Sequence, residues 1–110
     1  MTTTTTPTDL TRFQLDILRV IERADGEYGL GIKAVLDDHY GESVNHGRLY
    51  TNLDQLVGPG LVAKSERDKR TYDYEVTGPG QRLLRERRAW LAPEERRETE
   101  PATIADGGDR

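Results

Sequence analysis

The chain contains no cysteine and no apolar run long enough to cross a membrane. Without thiols it can form no disulfide, no thiolate metal site and no cysteine-based redox sensor. A membrane-spanning helix needs about 20 apolar residues. The threonine-rich start also lacks the basic and apolar regions of a secretory signal. We therefore expect a soluble, cytoplasmic protein that does not associate with membranes.

Large apolar side chains are scarce. Hydrophobic residues make up 34% of the 110 positions, and the chain has one tryptophan and one phenylalanine. A chain of this length has room for one compact domain, and such a composition gives that domain a small core. Because small cores often depend on a partner subunit for stability, the composition favours self-association.

Lysine is also scarce, since Lys33, Lys64 and Lys69 are the three lysines among 16 basic residues. The 20 acidic residues give a formal net charge of −4. This composition resembles that of proteins from salt-loving archaea, in which carboxylates hold water and cations against competing salt. The alternative is an ordinary acidic mesophilic protein.

One segment departs from the acidic balance. Residues 43–72 carry five basic and three acidic residues, a net charge of +2. The preceding 42 residues carry −4 and the following 38 carry −2. A local excess of positive charge is the expected signature of an anionic partner such as DNA.

Hydrophobic periodicity predicts two helices before this segment. The first starts after Thr11, whose spacing to Gln14 is that of a capping box, and it ends near Gly26. The second runs from about residue 29 to residue 40, and Gly41 ends it. Its inner surface is predicted to consist of Leu30, Ile32, Val35, Leu36 and Tyr40.

A third helix is predicted from the cap residue Asn45 to about residue 57. Leu49, Leu53 and Leu56 recur at helical spacing and predict a narrow buried stripe. The opposite face is polar. A Gly-Pro-Gly sequence at 58–60 ends the helix.

A β-hairpin is predicted next, with strands at 61–65 and 71–76 joined by a charged turn at 66–70. A last helix, capped by Thr77, follows over 78–91. The predicted fold is α+β, mainly α: a winged helix-turn-helix over 10–77 and a C-terminal dimerisation helix over 78–92. A flexible arm (1–9) and a disordered tail (93–110) are expected at the ends.

The polar face of the third helix is the predicted DNA-reading surface. Arginine matches guanine or a phosphate, and asparagine or glutamine matches adenine, in the major groove. We predict that Arg48, Asn52 and Gln55 contact bases, and that basic residues at the hairpin tip contact phosphates. The alternatives are an ordinary solvated helix face and an ordinary charged turn. The full set of predicted DNA contacts is Asn45, His46, Gly47, Arg48, Tyr50, Thr51, Asn52, Gln55, Arg67, Lys69 and Arg70.

The last helix carries a partial apolar stripe among arginines. We expect it to pack against its symmetry mate in a homodimer, and the alternative is that it folds back onto the first helix. The predicted dimer interface consists of Leu83, Leu84, Arg87, Trp90 and Leu91.

Nothing in the sequence indicates catalysis or metal binding. The two histidines, His39 and His46, do not form a cluster with metal-ligand spacing; His39 is expected to be partly buried. No nucleophile motif or phosphate-binding glycine pattern is present. We therefore predict no enzyme activity, no catalytic residue, no metal and no cofactor.

Several segments together resemble PadR-type transcriptional regulators. Residues 28–32 are similar to the opening of the family's second helix, and residues 47–56 resemble its recognition-helix signature. Residues 60–62 and 72–80 are similar to its strands and to the entry into its last helix. The resemblance covers roughly residues 10–91. It implies a homodimeric winged-helix repressor whose C-terminal helix serves dimerisation.

Two departures qualify the resemblance. Arg48 and Thr51 stand where the family has a small residue and a proline, so the DNA sequence preference need not follow the family. With its salt-loving composition the chain resembles haloarchaeal members of the family, and this resemblance implies control of oxidative-stress genes. We expect a DNA-binding regulator acting at high salt, with cations between the acidic dimer and double-stranded DNA. The alternative is a winged-helix module that binds a protein instead.

Overall fold

A computed structural model describes residues 9–92. Four helices and three strands lie within this range, in the mainly helical α+β arrangement of a winged helix, as predicted. The predicted N-terminal arm, except for its last residue, and the predicted disordered tail lie outside the described residues. The elements are α1 (Arg12–Ala24), β1 (Glu27–Tyr28), α2 (Gly29–Tyr40), α3 (His46–Val57), β2 (Val62–Asp68), β3 (Thr71–Val76) and α4 (Gly78–Leu91).

Side-chain caps fix the starts of three helices. The Thr11 hydroxyl accepts from the Gln14 amide at 3.1 Å, and Gln14 Oε1 accepts from the Thr11 amide at 3.1 Å, which completes the predicted capping box. Asn45 caps α3 and Thr77 caps α4. Each such cap contributes about 1 kcal/mol, so the sequence itself sets where these helices begin.

The hairpin is longer than predicted, and it forms part of a three-stranded antiparallel sheet in the order β1-β3-β2. The strand predicted to end at residue 65 continues to Asp68, past an irregularity between Glu66 and Asp68. Lys69 and Arg70 alone form the turn. The two-residue strand β1 was not predicted, because so short a segment has no detectable alternation.

The core lies between the three N-terminal helices, the sheet and the first half of α4. The stripe of Leu49, Leu53 and Leu56 is fully buried, as predicted. Tyr74 from the central strand is 1% exposed and is among the largest buried side chains. The helix α1 contributes Phe13, Leu15, Ile17, Leu18 and Ile21.

The predicted inner surface of α2 was partly wrong. Ile32 and Leu36 are buried, whereas Leu30 is 56% and Val35 44% exposed. Apolar residues surround much of this helix, so their spacing did not identify which arc faces the core. The prediction for His39 was also wrong: it is exposed and its ring lies beside that of Tyr40.

The first turn of α4 packs closely against the backbone where the hairpin begins. A Cβ added at Gly80 would overlap the Leu61 carbonyl oxygen and Val76 Cγ1. We predict that Gly80→Ala lowers the free energy of unfolding by about 1–3 kcal/mol, the usual cost of overpacking. Gly78→Ala, two residues earlier and facing open space, is the control. Equal stability of the two variants in chemical denaturation would contradict this account.

Two tyrosines couple stability to alkaline pH. Burial raises the pKa of Tyr74 to about 12, and burial together with the Asp16 carboxylate raises the pKa of Tyr40 to about 12. The unfolded value is 10.0, so unfolded tyrosines release their protons first. Stability should therefore be complete below pH 10 and decline as pH rises towards 12.

We predict that Tyr74→Phe, which has no phenol to ionise, loses less stability across this range than the unmodified chain. Denaturant titrations at a series of pH values measure the difference. Tyr72→Phe, on the same strand but exposed, is the control. An identical alkaline decline in the Tyr74→Phe variant would contradict the assignment.

Candidate nucleic-acid interface

Burial of its leucine stripe directs the opposite face of α3 to solvent. Arg48, Thr51 and Gln55 are exposed on this face, and Asn52 is half-buried at its edge. At the start of the helix Asn45, His46 and Gly47 are also exposed. The structure therefore brings the predicted contacts of α3 together on one accessible surface.

Arg48 is held over the first turn of α1. Its guanidinium carbon lies 3.8 Å from the centroid of the buried Phe13 ring. A guanidinium at this distance is attracted to the face of the ring. The contact limits the conformations of Arg48 without pairing its charge, so its hydrogen-bond donors remain available.

Gln14, the neighbour of Phe13, holds two further residues of the polar face. Its Nε2 donates to Asn52 Oδ1 at 3.0 Å and to Gln55 Oε1 at 2.9 Å. Asn52 Nδ2 donates in turn to the Arg48 carbonyl at 2.8 Å. Sequence reasoning treated Gln14 as a cap alone. Its second role spans about 40 residues of sequence and leaves no local signal.

Tyr50 is half-buried and joins the starts of α3 and α2. Its ring lies 4.5 Å from that of His46, and its hydroxyl end packs against the backbone of Gly29 so closely that a Cβ there would collide with it. Gly29 therefore permits the close approach that fixes Tyr50. The orientation of Tyr50 depends on this packing.

The hairpin tip presents Lys69 and Arg70 to solvent. Asp68 Oδ1 accepts from the backbone amides of Arg70 and Thr71 at 3.1 Å, and these bonds lower the pKa of Asp68. Asp68, the last residue of β2, thus uses its carboxylate to shape the turn that follows.

Arg67 does not lie at the tip, where the sequence placed it. It lies in β2 with Nη2 2.6 Å from Asp73 Oδ1 on β3, and its guanidinium carbon lies 4.8 Å from the Tyr28 ring centroid. Hydrogen bonding to Asp73 raises the pKa of Arg67. Arg67, in β2, therefore contacts both other strands, through Asp73 on β3 and Tyr28 on β1. It is less available to a phosphate than Lys69 and Arg70.

An open cleft of about 420 Å³ separates the start of α3 from the hairpin. His46, Tyr50, Lys64, Arg70 and Tyr72 are among its lining residues. Lys64 Nζ lies 4.3 Å above the Tyr72 ring and 3.9 Å from Asp54 Oδ1. The walls of the cleft therefore form a basic and aromatic surface that is continuous from the start of α3 to the hairpin.

The helix α4 has two different halves. Leu83 and Leu84 were predicted to contact a partner subunit. In the structure they lie in the chain's own core, at 1% and 4% exposure, and are not accessible to a partner. Trp90 is 77% and Leu91 63% exposed. Arg88 contacts Glu22 of α1 at 3.3 Å. The fold-back alternative thus describes the first half of the helix and Arg88, whereas Trp90 and Leu91 at its end present an apolar surface.

Two kinds of feature are absent from residues 9–92. No group of three or more His, Cys, Asp or Glu side chains in this range is placed to hold a metal ion. None of the helices described is long and apolar enough to span a membrane.

Comparison with protein families identifies the family of this chain. The model of the transcriptional regulator PadR-like family matches residues 17–86, which include α2, α3, the sheet and most of α1 and α4. The chain belongs to the PadR-like family. This membership confirms the resemblance inferred from the sequence and agrees with the prediction that the chain is not an enzyme. Comparison with curated proteins gives no match.

Solved structures of related regulators share the fold of this PadR-like protein. RosR of H. salinarum, from crystals grown with NaBr, is 50% identical with a TM-score of 0.75, over 78% of this chain and 77% of that chain. A complex structure of hsRosR is 49% identical with a TM-score of 0.76, over 80% and 78%. A mutant MarR from E. coli complexed with operator DNA is 28% identical with a TM-score of 0.64, over 81% and 60%.

Proposed function

We propose that this PadR-like regulator binds double-stranded DNA in a sequence-specific manner through α3 and the hairpin tip. The observation that carries the proposal is the ordered polar face of α3, on which Arg48, Asn52 and Gln55 are all held by the first turn of α1. A helix of this kind fits the major groove, and an adjacent hairpin reaches the phosphates. The solved complex of the related MarR with operator DNA supports the proposal.

Arg48, Asn52 and Gln55 are the proposed base contacts. Asn45, Tyr50, Thr51, Lys69 and Arg70 are the proposed backbone contacts. His46 and Gly47 complete the surface at the start of α3. Arg67 stabilises the hairpin through its ion pair with Asp73. The alternative, a module that docks a protein, is favoured by one observation, the small positive excess of residues 43–72, which carry five basic and three acidic residues.

We further propose that the protein acts as a homodimer through the exposed half of α4. Trp90 and Leu91 form an apolar surface beside the half-buried Arg87, and a two-fold axis would bury both copies at once. Two α3 helices about 34 Å apart would then enter successive major grooves of a palindromic site. Occupying a promoter in this way would repress transcription by competition with polymerase.

The physiological role that we propose is the control of oxidative-stress genes, which rests on the resemblance to haloarchaeal members of the family. The chain has no cysteine, so an oxidant signal would have to reach it without a thiol. Transcript levels in a deletion strain before and after peroxide treatment test this role.

We predict that replacing Arg48 and Arg70 together by alanine weakens binding to the operator by at least about 30-fold, because each charge-assisted contact contributes about 1–3 kcal/mol. Fluorescence anisotropy with a labelled duplex measures the loss. Arg23→Ala with Arg82→Ala removes two exposed charges outside α3 and the hairpin and should bind normally. Equal affinity of the two double variants would favour the protein-docking alternative.

The same titrations at KCl concentrations up to the molar range test the role of cations. A basic DNA binder loses affinity steeply as salt rises. An acidic dimer that needs cations between itself and the phosphates should lose far less or gain affinity. A steep negative slope over the whole range would contradict this part of the proposal.

We predict that Leu91→Ser, combined with Trp90→Ser, weakens self-association by at least about tenfold, since each buried apolar side chain contributes about 1.5–3 kcal/mol. Sedimentation equilibrium measures the dissociation constant. The control is Leu30→Ser, which makes the same leucine substitution at an exposed position of α2 and should leave the dissociation constant unchanged. A dimer unaffected by the α4 changes would place the interface elsewhere.

A further inference from the structure

Gln14 forms a fixed chain of hydrogen bonds between the backbone of α1 and the outer face of α3. Gln14 is a buried polar side chain beside the core, with 7% exposure. One end of its amide contacts Thr11, and the other contacts Asn52 and Gln55. The chain has a direction, because each member must donate or accept.

The backbone amide of Thr11 sets the direction of these hydrogen bonds, because a backbone N–H can only donate. The backbone N–H of Thr11 is a donor, so the Gln14 atom facing it, at 3.1 Å, must be the oxygen. The other end of the Gln14 amide is therefore the NH₂ group. Asn52 and Gln55 must both turn their oxygens towards this NH₂ group, at 3.0 and 2.9 Å.

A second fixed group confirms the direction. The Arg48 carbonyl is an acceptor, and the Asn52 atom 2.8 Å from it must be the nitrogen. Both ends of the Asn52 amide are thereby assigned by backbone groups. Gln55 is left with its NH₂ group on the exposed side of α3, where none of the described residues accepts from it.

We propose that Gln14 is a specificity-determining residue that makes Gln55, and to a lesser extent Asn52, read DNA as hydrogen-bond donors. This inference rests on the proposed function. Donors match the acceptor edges of the major groove, guanine O6 and N7, thymine O4 and adenine N7. They do not match the amino group of cytosine.

The inference differs from the usual pairing of glutamine with adenine. That pairing uses the amide oxygen and the amide nitrogen together at one base edge. Here the oxygens of Asn52 and Gln55 face α1. Gln14 thus acts without touching the DNA, as a positioning residue that sets which atoms of the reading face are available.

Gln14→Glu is the sharpest test. A carboxylate at this position can still accept from the Thr11 amide, since glutamate suits this capping-box position, so the helix cap is retained. An ionised carboxylate cannot donate, so the Gln55 amide should rotate to donate to it, whereas the Arg48 carbonyl keeps the Asn52 nitrogen where it is. The Gln55 oxygen would then face the groove and favour donor edges such as the cytosine amino group.

The experiment compares binding to operator duplexes in which each base pair is varied in turn. In Gln14→Glu the ratio between acceptor-edge and donor-edge duplexes should change by about tenfold at the pair lost in Gln55→Ala, the scale of one base contact. Gln14→Met, which neither donates nor accepts, should flatten the preference there. Gln81→Glu on the exposed side of α4 adds the same charge and should leave every ratio unchanged.

A uniform loss of affinity for all duplexes in Gln14→Glu would overturn the inference, because an added negative charge alone produces that result. If the unmodified protein discriminates between bases and the Gln14 variants discriminate identically, the inference fails and the proposed function stands. If the unmodified protein binds no duplex, the proposed function fails and the inference with it.

A readout without DNA tests the hydrogen bonds themselves. In the free protein the Gln14 side-chain NH₂ group should exchange its hydrogens slowly with solvent, because it is buried and donates two hydrogen bonds. Exchange should be faster in the double variant Asn52→Ala with Gln55→Ala. Thermal unfolding of each variant verifies the fold. Rapid exchange of this group in the unmodified, folded protein would overturn the inference.

Discussion

The burial of three leucines on α3 is the constraint on which the rest of the structure depends. Leu49, Leu53 and Leu56 occupy one narrow arc and are completely inaccessible to solvent. Since this arc is the main apolar part of α3, the helix has one favourable rotation about its axis. That rotation fixes which side chains face outward. The proposed DNA-reading face is thus a consequence of core packing.

The first turn of α1 adds a second level of order to this face. Phe13 and Gln14 are adjacent and buried, and they contact Arg48, Asn52 and Gln55. The capping box of α1 fixes the position of Gln14 and therefore of the amides beyond it. Pre-ordered side chains lose less conformational entropy on binding than free ones. Local helix capping and distant recognition are in this way parts of one network.

The sequence predicted the helices, their caps and the leucine stripe because these features have local signals of spacing and residue type. It did not predict β1, the true length of β2, or which side of α2 is buried, since these depend on contacts between distant segments. In the candidate site, the position of Arg67 depends on the irregularity of β2 between Glu66 and Asp68, which has no signal in the sequence. The role of Gln14 depends on its contact with α3. Leu83 and Leu84 show the same difficulty: an apolar stripe does not reveal whether its partner is the same chain or another.

The charges of residues 43–72 show why a small positive excess need not produce strong general attraction to DNA. Lys64 lies near Asp54 and Arg67 is paired with Asp73, so two of the five basic side chains are already engaged by carboxylates. Arg48 rests on an aromatic ring, and Lys69 and Arg70 stand at the tip. Affinity that depends on counterion release scales with the number of phosphates neutralised. In the proposed function, sequence discrimination therefore rests on the hydrogen bonds of α3, because contacts to phosphates carry no sequence information.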